Sequence, residues 1–343
     1  VHRWTDLGQI PPGFGPSVVT IGNFDGVHRG HQSVLGRMVA DARRVGAQSV
    51  AVTFDPHPST LHQPGRAPEL ITGVSDRLEL MAETGLDAVL VQNYTWEFAK
   101  QSPEEFVHRF LVDGLRAVTV VVGQDVRFGW ENAGDLSTML ALGERYGFSV
   151  EVIEDLSPPG PSSERRRWSS TWIRELLAAG EVREAADILG RPHRMRGVVV
   201  RGDARGRELG FPTANLSSDS AGMVPADGVY AGWLTRVSRA STPGESAAAS
   251  SGESAADEAA DEAATRLPAA ISIGTNPTFD GLTRRVEAYV IDRTDLDLYD
   301  DEVLLEFVER LRPTLRFDSV DELITTMNAD VAAAREILSV RSP

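Results

Sequence analysis

Strand-like and helix-like segments alternate through the first 153 residues, and that alternation restricts the fold more than any other feature. The apolar runs Ser17 to Gly22, Ser49 to Phe54, Ala88 to Gln92, Ala117 to Gly123 and Ser149 to Ile153 read as strands. Between the first two, Gly30 to Val45 spaces Val34, Leu35, Met38, Val39 and Ala42 along one helical face. Asp76 to Glu83, Pro103 to Val112 and Asp135 to Tyr146 read as helices too. Strands this uniformly apolar need cover on both faces, so the pattern predicts an α/β domain, a parallel sheet wrapped by helices.

Leu156 to Arg167 is rich in Pro, Ser and Arg and reads as a loop. Two short helices follow, Ser170 to Ala179 and Glu181 to Leu189. From His193 the texture changes. Met195 to Arg201, Val229 to Val237, Ala269 to Ile273, Arg285 to Ile291 and Val303 to Leu311 read as strands separated by turns. With no long helix between them, they predict an antiparallel barrel or sandwich. Ser319 to Leu338 closes the chain as one amphipathic helix. The expected organisation is residues 1–182, a linker at 183–192, and residues 193–343. Ser241 to Thr265 carries six acidic and no basic residues. It cannot bury apolar surface and reads as a disordered hairpin insertion at 241–265.

Composition excludes several function classes. A net charge of −16 over 343 residues argues against a broad nucleic-acid surface. A local pocket can still be positive. Without cysteine there is no disulfide, no thiolate catalysis and no Cys-ligated zinc, which suits a reducing cytoplasm. No apolar run approaches the ~20 residues of a membrane helix, and Val1 to Pro12 lacks a signal-peptide pattern. The expectation is a cytoplasmic, soluble protein. Lys100 is the single lysine, in Phe98-Ala99-Lys100-Gln101-Ser102 with no glycine loop before it. A Walker A loop and a protein-kinase Val-Ala-Ile-Lys strand are therefore both missing, and any grip on ATP must be of another kind.

One such grip is Gly22-Asn23-Phe24-Asp25-Gly26-Val27-His28-Arg29-Gly30-His31, which follows a buried strand and opens a helix. Ligands bind there in open parallel sheets, and a helix N-terminus attracts phosphate. Gly22, Gly26 and Gly30 allow close backbone approach. His28 and His31, three apart, can both donate to charge developing on a leaving pyrophosphate. A metal pair would need a supporting cluster, and a dinucleotide loop would need Gly-x-Gly-x-x-Gly. Two unrelated loop histidines is the bland alternative. Ser169, Ser170 and Thr171 precede Arg174 by about one turn; they can cap a helix or, with Arg174, clamp a triphosphate.

In the second half, Gly202, Gly206, Arg207 and Gly210 form a flexible loop running into Phe211-Pro212-Thr213-Ala214-Asn215. The Thr213 hydroxyl and Asn215 amide oxygen are hard ligands suited to Mg²⁺ with ATP phosphates. A turn followed by a strand is the plainer reading. Glu287 sits in the apolar run Val286-Glu287-Ala288-Tyr289-Val290, either paired structurally or acting as a general base.

The segment Asn23 to Gln32, paired with Ser169 to Arg174, resembles the HIGH-type nucleotidyltransferases and in particular the adenylyltransferase module of bacterial FAD synthetases. Thr53-Phe54-Asp55-Pro56-His57-Pro58 and Val122 to Gly129 match that family's further motifs. Residues 201–216, Gly228 to Gly232, Ser272 to Phe279, Asp297-Leu298-Tyr299 and Glu287 resemble riboflavin kinases. The resemblance runs from about residue 5 to 338 and implies a bifunctional riboflavin kinase/FMN adenylyltransferase. Its expected fold is a Rossmann-like nucleotidyltransferase domain followed by an antiparallel β-barrel kinase domain with a C-terminal helix.

By resemblance, Gly22, Asn23, Phe24, Asp25, Gly26, Gly30, Ser169, Ser170 and Thr171 bind ATP, with His28, His31 and Arg174 catalytic. His57, Asp125, Phe128, Gly129 and Asn276 would contact flavin, although His57 also reads as a packed loop histidine. In the kinase half, Gly202, Gly206, Arg207, Gly210, Pro212, Thr213 and Asn215 would bind ATP, Thr213 and Asn215 would hold Mg²⁺, and Glu287 would be the base. The expected partners are riboflavin, FMN and ATP, with no nucleic acid, no membrane and at most a weak homo-oligomer. A nucleotidyltransferase for another phosphorylated acceptor and a flavin-binding regulatory protein are the alternatives.

Overall fold

The computed structural model describes residues 1–153, 166–202, 210–237, 266–278 and 281–340. Packing divides the chain into two compact units, Val1–Leu70 with Val74–Ser170, and Ile71–Gly73 with Thr171–Pro343.

The first unit runs β1 (His2–Trp4), β2 (Ser17–Ile21), α1 (Arg29–Val45), β3 (Gln48–Asp55), α2 (Pro58–His62), α3 (Val74–Ala82), β4 (Ala88–Asn93), α4 (Trp96–Ala99), α5 (Pro103–Phe106), β5 (Ala117–Gly123), α6 (Leu136–Tyr146) and β6 (Ser149–Ile153). A π-helical stretch, Val107–Gly114, continues α5. The strands form one parallel sheet in the order β1-β4-β3-β2-β5-β6. Alternate residues feed opposite faces. Val19, Val50, Val52, Leu90 and Val120 pack towards Phe106, Phe110 and Met139, while Val18, Ala51, Val89 and Val121 pack towards Leu35, Met38 and Met81 of α1 and α3. Both faces are thereby buried, which is why the strands read as continuous apolar runs. From β2 the chain proceeds to β3 and β4 on one side, then to β5 on the other. That reversal opens a crevice at the C-terminal ends of the strands beside β2.

The second unit contains α7 (Ser170–Ala179, from Thr171 on), α8 (Val182–Leu189), β7 (His193–Val200), β8 (Thr213–Leu216), β9 (Gly228–Arg236), β10 (Arg266–Thr278), β11 (Gly281–Val290), β12 (Glu302–Arg312) and α9 (Val320–Val340). The strands close an antiparallel barrel in the order β10-β11-β8-β7-β12-β9. Ala334 and Leu338 of α9 pack on its outer surface against Trp233, Ala270, Ile291 and Val308.

The expected boundary moves. Residues 183–192 are not a linker, because α8 buries Val182, Ala185, Ile188 and Leu189 and packs on β12 and β7. Helix α7 also joins the barrel: the Ala226 N–H donates to the Leu177 carbonyl (2.9 Å) and Arg310 to the Ala179 carbonyl (3.1 Å). An amphipathic pattern shows that a helix has an apolar face but not which core receives it. The expected insert Ser241–Thr265, together with Gly206, Arg207 and Phe279, lies outside the described residues.

Candidate active sites

In the first unit the crevice beside β2 is fully built. Strand β2 ends at Ile21, and the chain turns through Phe24 (φ +49°), Gly26 (φ +81°) and Val27 (φ +38°) before α1 begins at Arg29. Positive φ is strained for Phe and more so for β-branched Val, so surrounding bonds must hold the turn. They do. The Asn23 carbonyl accepts from the Thr53 hydroxyl (3.1 Å) and Arg77 Nη1 (2.9 Å). The Asp25 carbonyl accepts from the Ser170 hydroxyl (2.8 Å), and the Val27 carbonyl from Gln32 Nε2 (2.8 Å). Carbonyl oxygens that would repel a phosphate are thus tied to protein donors.

His28 is the N-cap of α1: its Nδ1 accepts from the His31 N–H at 3.4 Å. The acceptor role assigns the proton to Nε2. The His28 and His31 rings stack with centroids 3.7 Å apart. Burial, and then the neighbouring His28, push the His31 imidazole well below its ordinary pKa, so it is a neutral donor rather than a cation. His31 Nδ1 is buried with no hydrogen-bond partner among the described residues. A Cβ at Gly30 would lie 3.0 Å from the His28 ring, so a larger residue there would press on that ring.

Phe24 and Asp25 are not ligand-facing as expected. Both are buried, Phe24 in the core beneath α1 and Asp25 close to Arg77. Of that stretch, Gly22 and Asn23 line the cleft. The cleft, of about 240 Å³, continues along Phe54, Tyr94, Phe98, Val126, Phe128 and Gly129, at the ends of β3, β4 and β5. Phe54, Tyr94 and Phe98 surround one another at 5.4–5.7 Å between centroids, a surface suited to a flat aromatic ligand.

Two of the expected flavin contacts have partners within the protein. His57 caps α2, with Nδ1 accepting from the Ser59 N–H at 3.2 Å. Asp125 pairs with Arg167 at 2.9 Å. The signals missed in sequence are Tyr94 and Phe98, two aromatics four apart just after a strand end, and Arg77, a cation beside the apolar positions of α3. Ser169 and Ser170 belong to this unit, whereas Thr171 and Arg174 belong to the second.

In the second unit the β8–β11 register sets Thr213 opposite Tyr289 and Asn215 opposite Glu287. Val286, Ala288 and Val290 fill the barrel, so alternation turns Glu287 to its outer, half-buried face rather than into the core. The Thr213 hydroxyl donates to Glu287 Oε2 (3.3 Å), and Asn215 Nδ2 donates to the Thr213 hydroxyl oxygen (3.3 Å). Gly202 must lack a side chain, because a Cβ there would fall 2.6 Å from the Asn215 amide.

Thr213 stands between two depressions. One is lined by Pro212, Arg293, Leu298 and Tyr299. The other, of about 240 Å³, lies between the outer barrel wall (Phe211, Glu287, Tyr289) and Leu315, Phe317, Leu323 and Met327 beside and on α9. Its far wall carries Arg312 and Asp330, paired at 2.7 Å. Asn276 lies in β10 opposite Thr283. Among the described residues no group of three or more His, Asp or Glu could hold a metal.

A family model described as FAD synthetase matches residues 12–167, and one for riboflavin kinase matches residues 189–338. A bifunctional riboflavin kinase/FMN adenylyltransferase of Escherichia coli K12 is 32% identical over 326 residues, 95% of this chain and 94% of that protein. One from Pseudomonas fluorescens is 35% identical over 332 residues, 96% of each. A solved Streptococcus pneumoniae structure named macrolide-efflux protein superposes with a TM-score of 0.78 at 27% identity, covering 97% of this chain and 98% of that one. No helix among the described residues of this chain is long and apolar enough to cross a membrane.

Proposed function

The chain belongs to the family of bifunctional riboflavin kinase/FMN adenylyltransferases, and from that premise we propose which residues of each unit carry its two reactions. It is an enzyme of flavin cofactor biosynthesis, phosphorylating riboflavin to FMN and adenylylating FMN to FAD.

In the second unit, riboflavin lies against the apolar wall between the barrel and α9, with its ribityl chain towards Glu287. Glu287 takes the proton of the 5′-hydroxyl as that oxygen bonds to the γ-phosphorus of ATP, and ADP leaves. ATP lies on the other side of Thr213, beside Pro212 and Tyr299. The Thr213 hydroxyl and Asn215 amide oxygen are hard donors that would fit Mg²⁺ together with the ATP phosphates. Bound there, Mg²⁺ would neutralise charge on the transferring phosphoryl group.

In the first unit, the isoalloxazine ring of FMN stacks in the cleft of Phe54, Tyr94, Phe98 and Phe128. A phosphate oxygen of FMN bonds to the α-phosphorus of ATP, and the bond to the β-phosphate oxygen breaks to release pyrophosphate. No protein nucleophile is needed; catalysis is alignment and charge stabilisation by His28, His31 and the α1 N-terminus. Ser169 and Ser170, at the end of this unit, serve at the triphosphate in this reading.

The observation that carries the division of labour is the meeting of Thr213, Asn215 and Glu287 at one cleft, while His28 and His31 stack at a helix N-terminus in the other unit. Pure protein given riboflavin, ATP and Mg²⁺ should yield FMN first and FAD second by chromatography. Absence of FMN would overturn the kinase assignment, and FMN without FAD would overturn the adenylyl-transfer assignment.

A further inference from the structure

Arg77 is a buried cation in α3, where Asp76, Leu78, Leu80 and Met81 are buried as well. It is 1% exposed. Burying a guanidinium is costly unless its donors are used, and here they are aimed with purpose. Nη1 donates to the Asn23 carbonyl at 2.9 Å and Nη2 to the Phe54 carbonyl at 3.0 Å. Asn23 belongs to the turn after β2, and Phe54 lies near the end of β3. Both residues line the same cleft, one beside the phosphate-binding turn and the other in the aromatic wall.

The rigid planar fork of one guanidinium therefore spans two backbone segments that bind different substrates. A lysine, with one point of charge, could not hold both at fixed separation. Asp25 and Asp55, one from each segment, supply the negative charge that opposes the effect of burial on Arg77. Nε is buried with no hydrogen-bond partner among the described residues, so the two carbonyl bonds carry the side chain's directional role. The Asn23 carbonyl also accepts from Thr53, which makes that oxygen the shared point of the arrangement.

We propose that Arg77 is a positioning residue for adenylyl transfer, fixing the distance and angle between the ATP-phosphate turn and the flavin wall so that the FMN phosphate meets the α-phosphorus in line. This rests on the reading that the cleft at Gly22–His31 is the adenylyl-transfer site. In-line attack tolerates little error, and a misplacement of about 1 Å costs roughly 100-fold in rate. Arg77 itself touches neither substrate.

The test uses the full chain with Arg77→Lys, Thr53→Val, the double variant and His28→Ala. FMN-to-FAD conversion, FAD pyrophosphorolysis and riboflavin phosphorylation are measured on each, with thermal unfolding followed in parallel. Arg77→Lys should lower kcat for FAD formation by about 100-fold, the size of a lost alignment, with KM for ATP and FMN changed by less than about threefold. Pyrophosphorolysis should fall by the same factor, and riboflavin phosphorylation should stay at the wild-type rate. Thr53→Val should act in the same direction and combine less than additively with Arg77→Lys, because both bonds end on one carbonyl.

Wild-type kcat in Arg77→Lys while His28→Ala is inactive would overturn the proposal and leave the site reading standing. Loss of the unfolding transition in Arg77→Lys together with a wild-type rate of FAD formation in Thr53→Val would also overturn it, by reducing Arg77 to a stabilising role. Full activity in His28→Ala would overturn the site reading itself.

Discussion

At the scale of single residues, the two reactions should separate cleanly. Glu287→Gln should slow FMN formation by about 10²–10⁴-fold, the range for loss of a general base, and leave FMN-to-FAD conversion intact. His31 gives a pH prediction. Its folded pKa is depressed by burial, so the unfolded chain takes up a proton that the native imidazole refuses. The resulting stability is present above the ordinary histidine pKa near 6.5 and is lost as pH falls below it. Unfolding of the first unit followed from pH 7.5 to 5 should show that loss, and His31→Gln should flatten it; an unchanged slope would remove His31 as the cause. The residues that short sequence motifs brought forward, His28 with His31 and Thr213 with Asn215 and Glu287, stand beside one another in the fold. Arg77, Tyr94 and Phe98 were not legible, because their meaning comes from strand ends that only the sheet brings together. His57 and Asp125, also in motifs, each have an internal partner that sequence did not announce, a helix cap and an ion pair.

Elements were read well where apolar periodicity was long. Helix α1 and strands β2 to β6 follow their patterns closely. Strand β1 was missed, because three residues with only Trp4 buried leave no period to detect. Strand β8 is four residues long and was open to reading as a turn and a strand, yet it sets Asn215 opposite Glu287 and Thr213 opposite Tyr289. Helix α9 forms one wall of the cleft beside Glu287, and the Arg312–Asp330 pair fastens it to β12. Asp330→Ala would leave Arg312 largely buried without its carboxylate, at a cost of about 3 kcal/mol. It should raise KM for riboflavin more than it lowers kcat, since it loosens a wall and not the reacting groups. An unchanged KM would show that α9 is held without this pair. Between α1 and β6, burial and the adjacent Asp41 carboxylate raise the pKa of Glu151. A raised carboxyl pKa stabilises at low pH and is lost as pH rises, so Glu151→Gln should raise the unfolding temperature at pH 7 more than at pH 4.5. Equal shifts at both values would contradict that assignment.

For the whole molecule, the change of texture at His193 announced two kinds of domain, and the chain does contain a parallel sheet and a closed antiparallel barrel. The position of the division was harder to read, because α7 and α8 carry apolar faces that fit either core until Leu177, Ala179 and Leu189 find their partners in the barrel unit. The central claim is that one chain makes FMN at Glu287 and consumes it at His28 and His31. The most direct measurement is FAD production from riboflavin, ATP and Mg²⁺ by His28→Ala alone, Glu287→Gln alone, and an equimolar mixture. The expected result is FMN without FAD from His28→Ala, neither product from Glu287→Gln, and FAD from the mixture, as FMN made by one variant is adenylylated by the other. FAD from either variant alone, or none from the mixture, would contradict the assignment of the two sites.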